Sequence, residues 1–250
     1  MEQMMDLLAR QLDMDPVEIR LRNALCKGDR MPVGVVLQHS IGIKECLTAL
    51  GSHPLYSERE KWKAGTGPFK RRGVGVSALL HGQGYGPVVP DVANAKLKLT
   101  RKGRIQVYSG VVDMGQGNAA TCLQIAGSIL AQTPDVFELV LPDTERTLPS
   151  GSAAASRCTY TFGNALIGAC EALKQRLLEK AADFLMAVSS KEVVLEPGMV
   201  RHLTSGREIP LAGLAAFMAD SERTVTHRLR APTAPDRIAV PEEVRIHGLG

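Results

Sequence analysis

Two short loops rich in small residues carry the groups in this chain that can do chemistry. The first, residues 110–117, reads Gly-Val-Val-Asp-Met-Gly-Gln-Gly and lies between a run with strand-like alternation and a run with helical spacing. A glycine turn in that position leaves backbone N–H groups at the positive end of a helix dipole, where anions bind. Gln116 adds an amide that donates and accepts hydrogen bonds. The pattern predicts a backbone cradle for an anion.

The second loop, residues 151–157, reads Gly-Ser-Ala-Ala-Ala-Ser-Arg. Small residues of this kind are also typical of a flexible surface loop. A run of alanines, however, avoids both the flexibility of glycine and the bulk of larger side chains, which suits a backbone pressed against a flat ligand. Ser156, Arg157 and Thr159 then offer donors to phosphate oxygens. We predict that the two loops meet and together grip an anionic cofactor.

The first loop also admits a dinucleotide interpretation. Gly115, Gly117 and Ala120 fit the dinucleotide fingerprint, and Asp135 or Asp143 follows at the distance of a ribose contact. The strand before the loop, however, belongs to a predicted antiparallel hairpin and does not open a βαβ unit. This argues against a nicotinamide dinucleotide site, which stays open as an alternative.

Other reactive residue types have structural explanations. Asp113 is an acid or base by type, but an Asp beside a glycine turn is more often a turn-former. Met114 taken alone is interpreted as core packing. The three histidines considered as metal ligands have no carboxylate or cysteine at ligand spacing: His81, His202 and His247. We therefore predict no protein metal site.

The two loops need a sheet and helices to hold them. Residues 92–100 alternate between apolar and polar, and residues 105–112 return after a turn, which predicts an antiparallel hairpin with one wet face. A further strand is predicted at 136–141. Helical spacing is present at 119–130 and in a longer stretch from 163 to 188.

The remaining elements are shorter. Asp15 is the predicted N-cap of a helix that ends near Ala24. The other predictions are a helix at 43–50, an exposed connector at 58–68, a strand at 73–80, a glycine-rich loop at 81–86, strands at 192–195 and 199–203, and a helix at 209–219.

These patterns predict an α+β fold, with an antiparallel or mixed sheet and packed helices. We divide the chain into a helical lead-in and linker at residues 1–68, an α+β part-domain at 69–224, and a Pro-rich tail at 225–250.

Composition excludes several classes of protein. The chain has 44% hydrophobic and 22% charged residues, as globular proteins do. Its net charge of +4 is spread along the chain, and the densest basic stretch, residues 61–72, is interpreted as a solvated linker rather than a nucleic-acid surface. Five scattered cysteines indicate a reducing compartment. With no long apolar run or signal-peptide pattern, we predict a cytoplasmic protein that contacts neither membrane nor nucleic acid.

Several motifs together resemble a known family, the large molybdopterin-binding subunit of xanthine dehydrogenases and aldehyde oxidases. The likeness runs in order from the first residues to about Ala187. The motifs are Met-Asp-Leu-Leu-Ala, Asp-Pro-x-Glu-x-Arg and Arg-Asn within residues 2–29, Gly-Val-Gly-Val at 73–76, Asp-Met-Gly-Gln-Gly at 113–117, residues 121–126, Asp-Thr at 143–144, and the loop at 151–165.

The resemblance implies a fold, a cofactor and a reaction. The fold would be part of the molybdopterin-binding domain of molybdenum hydroxylases. The residues that would hold the pterin and its phosphate or nucleotide tail are Met114, Gly115, Gln116, Gly117, Ala154, Ala155, Ser156, Arg157 and Cys158. The pterin dithiolene would bind the metal, so no protein metal ligand is expected. The reaction would be hydroxylation of a purine, an N-heterocycle or an aldehyde, with water as the oxygen source.

The resemblance also implies partners. Iron–sulfur clusters and FAD would lie on partner subunits or domains and carry electrons away, and a homo-oligomer is possible. Such subunits are several times longer and carry their catalytic glutamate in a Gly-x-Gly-Glu element, which this chain does not contain. We therefore assign no catalytic residue and expect an internal fragment that is inactive alone. A catalytically inactive cofactor-binding or assembly module is the other hypothesis.

Overall fold

The computed structural model describes residues 1–31, 34, 36–79, 81, 84–85 and 90–231. Within these ranges the chain forms two compact units that divide near residue 82. No helix in the described ranges is long and apolar enough to cross a membrane. Both loops singled out in the sequence belong to the second unit.

The first unit is built from short helices. Asp15 caps the second of them as predicted, because its Oδ1 accepts hydrogen bonds from the N–H groups of Val17 at 2.7 Å and Glu18 at 3.3 Å. The same carboxylate accepts a hydrogen bond from the Tyr56 hydroxyl at 2.9 Å, which ties two helices together. The helices are α1 (Glu2–Gln11), α2 (Pro16–Asn23), α3 (Ile43–Ser52), α4 (Pro54–Ser57) and α5 (Arg59–Ala64).

The predicted strand at 73–80 is wrong over its described residues, 73–79, which form no strand. Val74, Val76 and Ala78 instead pack against the apolar core of the helices. The alternating pattern is therefore satisfied without a partner strand. The predicted connector at 58–68 is exposed, but it contains α5.

The second unit is organised around a four-stranded mixed sheet of order β3-β2-β1-β7. Its strands are β1 (Val92–Leu99), β2 (Ile105–Tyr108), β3 (Phe137–Val140) and β7 (Thr224–Arg230). β1 pairs antiparallel with β2 and β7, whereas β2 and β3 are parallel. The apolar face of β1 is buried as its alternation predicts, with Ala93, Ala95, Leu97 and Leu99 fully enclosed. The mixed sheet with packed helices confirms the predicted fold class.

Two helices pack together in this unit, α6 (Asn118–Leu130) and α7 (Gly163–Leu185). α7 also packs on β1 and β7, and α6 on β3. The predicted apolar face of α7 is buried from Leu166 to Leu185. It ends there, because Met186 adopts a left-handed conformation and Val188 is exposed. The buried side chains of these elements form one core cluster.

A second, three-stranded sheet follows α7. It contains β4 (Val193–Glu196), β5 (Met199–His202) and β6 (Glu208–Pro210) in that order, and the first two confirm the predicted short strands. The single helix predicted at 209–219 is wrong. Ile209 lies in β6, Pro210 precedes α8 (Leu211–Ala216), and a separate α9 (Asp220–Arg223) leads into β7.

Two further predictions need correction. The start of the predicted Pro-rich tail is β7, in which every residue pairs with β1. Residues 232–250, which include the rest of that tail and His247, lie outside the described residues. The predicted hairpin of β1 and β2 is confirmed. The prediction that its second strand opens no βαβ unit is wrong, because β2, α6 and the parallel β3 form one. β2 pairs with both β1 and β3, and the sequence pattern indicates only the pairing with β1, which is nearer in the chain.

Candidate functional site

The sheet brings the two loops to one place. β2 and β3 are parallel neighbours in register from Ile105 with Phe137 to Tyr108 with Val140, so the chain leaves both strands at the same edge of the sheet. In sheets of this kind, ligands bind at the carboxyl ends of parallel strands.

The first loop also packs against the residues just before the second loop. Gly110, the first residue of the first loop, packs so closely on the stretch before the second loop that an added Cβ would overlap the Leu148 carbonyl oxygen and approach the Ser150 Oγ to 3.0 Å. The first loop therefore begins against the residues that lead directly into the second loop, and the prediction that the loops themselves meet stays a prediction. Ser150 is itself anchored to β1, because its hydroxyl donates to the Asn94 carbonyl oxygen at 2.7 Å.

Asp113 shapes the first loop. Its Oδ1 accepts a hydrogen bond from the Gly115 N–H at 2.9 Å, and its Oδ2 accepts one from the Ala119 N–H at 2.8 Å, in the first turn of α6. Hydrogen bonds from these two N–H groups, that of Ala119 first, hold the pKa of Asp113 below its ordinary value. The turn-forming interpretation of Asp113 is therefore confirmed.

Replacing Asp113 by alanine tests this role. We expect the thermal unfolding midpoint at pH 7 to fall by a few degrees, since two N–H groups lose their acceptor. Because the folded pKa is depressed, the carboxylate stabilises the protein above its unfolded pKa, and this contribution disappears as pH falls through the folded pKa. The difference from wild type should therefore shrink as pH falls below about 4, the ordinary Asp pKa. Asp183→Ala, at an exposed position on α7, is the matched control.

Gln116 is used within its own loop. Its side-chain oxygen accepts a hydrogen bond from the Met114 N–H at 2.6 Å, and its amide nitrogen donates to the Val112 carbonyl oxygen at 3.0 Å. The side chain of Met114 is 71% exposed, so its interpretation as core packing is wrong. Nothing lies within 4 Å of the position that a Cβ would take at Gly115 or Gly117. The glycine turn is thus stiffened from inside and open on its outer side.

Arg157 has a different role from the one that its residue type indicates. Its guanidinium is enclosed, with its side chain 0% exposed, and its Nε donates to Asp91 Oδ1 at 2.8 Å. Nη1 donates to the carbonyl oxygens of Ser150 at 2.5 Å and Ser152 at 3.1 Å, and Nη2 donates to that of Val92 at 2.8 Å. The prediction that this side chain reaches phosphate oxygens is wrong. The loop instead folds around Arg157, which holds it from within.

The rest of the second loop presents its backbone to solvent. Ala154 and Ser156 are exposed, and Ala155 and Cys158 are half-buried. Ala155 and Ser156 have φ values of +52° and +51°, a conformation that costs a non-glycine residue about 1–3 kcal/mol. Cys158 begins a π-helix, Cys158–Phe162, that leads into α7. π-helical turns are frequent at functional sites, as are residues in this left-handed conformation.

The two loops suit an anionic, partly flat ligand. Several of their backbone N–H groups have no acceptor within the described part of the chain: those of Gln116, Asn118, Ala120, Ala154, Ala155 and Ser156. The N–H groups of Gln116, Asn118 and Ala120 lie at the N-terminal end of α6, where anions bind. Those of residues 154–156 follow one another around left-handed residues, an arrangement that forms anion-binding concavities. A pterin phosphate fits this donor set because it needs N–H donors and little side-chain bulk.

Sequence reasoning missed the residues that hold the loops in place. Asp91 and Tyr85 support the second loop, and Gly110 lets the two loops come together. No local pattern marks Asp91, because the burial of Arg157 that requires an acidic partner appears only in the folded chain. The sequence predicts the glycine-rich loop at 81–86 but gives it no function. The structure describes only His81, Gly84 and Tyr85 of this loop.

The fold and site match one family. Residues 45–238 match the molybdopterin cofactor-binding domain family, and the chain belongs to it. The chain is therefore a molybdopterin-binding domain of the xanthine dehydrogenase and aldehyde oxidoreductase family, which confirms the resemblance noted in its motifs.

Particular relatives support this placement. The putative xanthine dehydrogenase molybdenum-binding subunit of Escherichia coli (strain K12) is 32% identical over 88% of this chain and 29% of its own length. The aldehyde oxidoreductase of Megalodesulfovibrio gigas is 32% identical over 69% of this chain and 19% of its own length. The chain thus spans less than a third of the length of either relative.

Solved structures share the fold. The aldehyde oxidoreductase from Desulfovibrio gigas superposes with a TM-score of 0.64 at 27% identity, covering 91% of this chain and 22% of that chain. Quinoline 2-oxidoreductase from Pseudomonas putida 86 gives a TM-score of 0.62 at 22% identity, covering 95% of this chain and 32% of that chain. The second likeness concerns the fold alone.

Proposed function

We propose that this chain forms one wall of a molybdopterin pocket and serves a molybdenum hydroxylase. The observation that carries the proposal is the contact of Gly110 with the residues that lead into the second loop, near the carboxyl ends of β2 and β3, in a chain of the molybdopterin-binding family. Ligand contacts are assigned to Met114, Gly115, Gln116 and Gly117 on one side and to Ala154, Ala155, Ser156 and Cys158 on the other. Arg157 supports the second set from inside.

The residues bind through their backbone. Free N–H groups at the start of α6 and in residues 154–156 donate to the anionic part of the pterin, and the glycine turn and alanines leave room for its ring. The chemistry that the cofactor supplies when bound is the two-electron hydroxylation of a carbon in a purine, an N-heterocycle or an aldehyde. None of the described residues is assigned as the catalytic base, so the chain alone is proposed to be inactive.

The proposed partners follow from the reaction. The electrons have to leave the site, so we propose iron–sulfur and FAD-binding subunits or domains as partners, and a small molecule as the substrate. Oligomerisation of the complete enzyme and a cytoplasmic location are part of the same proposal.

Pterin content is the direct test. The chain is purified anaerobically from a host that makes the molybdenum cofactor, and pterin is measured by fluorescence after acid oxidation, with molybdenum by elemental analysis. Ser156→Asp places a negative charge beside the free N–H groups and tolerates the left-handed backbone. We expect it to lower pterin content about tenfold or more, because like charges repel strongly at contact distance. Ser221→Asp adds the same charge at an exposed serine of α9 and should change nothing.

Two outcomes would contradict the proposal. One is a wild-type chain without pterin, and the other is pterin content that Ser156→Asp leaves unchanged. The βαβ unit is the observation that favours the alternative, a nicotinamide dinucleotide site. A rise in the unfolding midpoint with nicotinamide dinucleotides, in a chain that retains no pterin, would favour that alternative. Pterin retained without turnover in the complete enzyme would favour the assembly module.

A further inference from the structure

We propose that Tyr85 is a positioning residue that holds the second loop in its ligand-binding shape before any ligand arrives. The proposal rests on the proposed function, because the groups that Tyr85 positions are the backbone N–H groups assigned to the pterin. Tyr85 belongs to a segment distant in sequence, and none of its own atoms is assigned to the ligand.

The Arg157 guanidinium supports the second loop from inside. The Arg157 guanidinium turns the carbonyl groups of Ser150 and Ser152 inward. Gly151 lies between them with φ of +74°, and an added Cβ there would be 2.8 Å from the Arg157 Cζ. The loop is thus wrapped around a buried cation and cannot move inward.

Tyr85 and Gly84 hold the second loop through further hydrogen bonds. The Tyr85 hydroxyl accepts a hydrogen bond from the Ser152 N–H at 2.8 Å and shares another with the Ser152 Oγ at 2.5 Å. Its ring lies over the guanidinium, with 4.7 Å between the Arg157 Cζ and the ring centroid. The neighbouring Gly84 N–H donates to the Ala155 carbonyl oxygen at 2.8 Å. Gly84 and Tyr85 therefore give the loop a second set of hydrogen bonds besides those of the guanidinium.

Both supports act on the binding groups of the second loop. Ala155 and Ser156 keep their left-handed conformations only if the surrounding structure holds them. Tyr85 and Gly84 hold Ser152 and Ala155 in place. The N–H groups of residues 154–156, which have no acceptor among the described residues, then keep the arrangement proposed to bind the ligand. Binding a ligand to a loop that is already ordered avoids the entropy loss of ordering it.

The test removes one oxygen atom. Tyr85→Phe deletes the hydroxyl and keeps the ring over Arg157. Tyr56→Phe is a matched control in the other unit, since its hydroxyl also accepts one backbone N–H, that of Val17, and bonds one side-chain oxygen, that of Asp15. Three quantities are measured: amide hydrogen exchange at Ser152 and Arg157 in the ligand-free chain, pterin content, and the unfolding midpoint.

We expect Tyr85→Phe to speed exchange at Ser152 and Arg157 about fivefold and to lower pterin content by a similar factor, because the Ser152 N–H loses its acceptor and the Ser152 hydroxyl loses its partner. Tyr56→Phe should lower the unfolding midpoint at least as much and leave pterin content unchanged. That split separates positioning from general stability.

Unchanged exchange in Tyr85→Phe would overturn the proposal, whatever the pterin content. Equal pterin loss in both variants would also overturn it, since the hydroxyl would then act through stability alone. A wild-type chain without pterin in which Tyr85→Phe still speeds exchange would reject the proposed function and the positioning role together, while showing that the support itself exists.

Discussion

Replacing Arg157 by methionine is expected to lower the free energy of unfolding by about 3–5 kcal/mol, the largest effect of any single change in the second loop. The substitution leaves Asp91, with a side chain only 3% exposed, as a buried charge without its partner. It also leaves the carbonyl oxygens of Ser150, Ser152 and Val92 without their donor. Since domains are stable by only about 5–15 kcal/mol, the second unit should lose a large part of its stability.

The measurement is chemical denaturation, monitored with a signal that comes from the second unit. Lys180→Ala is the control, because Lys180 pairs with Glu222 at 3.2 Å with both side chains about a third or more exposed. Pairs of that kind contribute about 0–1 kcal/mol. An Arg157→Met variant no less stable than Lys180→Ala would contradict the buried position of Arg157.

A second comparison covers the case in which Arg157→Met does not fold. Arg157→Lys keeps the charge but cannot reach all the acceptors that the guanidinium serves, so its stability should lie between those of wild type and Arg157→Met. Adding Asp91→Asn to Arg157→Met should recover part of the loss, because the unpaired charge is removed. No recovery would mean that the carbonyl groups, rather than the ion pair, dominate the effect.

Replacing Gly110 by alanine is expected to separate the two loops. The added methyl group would overlap the Leu148 carbonyl oxygen, which belongs to backbone and not to a mobile side chain. Ser150, on the same stretch, is held to β1 through Asn94 and cannot yield easily. We expect a loss of about 1–3 kcal/mol in the free energy of unfolding, the usual effect of overpacking, together with a loss of most of the bound pterin.

Gly73→Ala is the control for glycine replacement, since Gly73 has open space around it and no positive φ. It should leave both stability and pterin content near the wild-type values. A Gly110→Ala chain with wild-type stability would show that the loops are not in contact in solution. Wild-type pterin content in a destabilised Gly110→Ala chain would show that the contact does not shape the pocket.

Local patterns in the sequence predict the elements well where neighbouring residues decide the outcome. The alternation of residues 92–99 predicts β1 and its buried face, and the helical spacing after Gly163 predicts α7 and its buried face, although the helix ends at Leu185 and not at 188. Asp15 and Asp113 are predicted in their capping and turn-forming roles because their partners lie a few residues away. The motifs at 113–117 and 151–165 also carry the family resemblance that the comparisons confirm.

The predictions that fail depend on partners far along the chain. β7 looks like a tail until it pairs with β1, and residues 73–79 look like a strand until they pack on helices. β2 forms the predicted hairpin with β1, but its parallel pairing with β3, 32 residues further along the chain, is not predicted.

The sequence by itself determined the two loops, their small residues and the class of ligand they suit. Only the tertiary structure decided how each residue is used. Arg157, a phosphate ligand by residue type, becomes a buried support because β1 brings Asp91 and the Val92 carbonyl to it across more than sixty positions of sequence. Burial removes its charge from solvent, so we assign the proposed binding role to backbone N–H groups of the two loops instead.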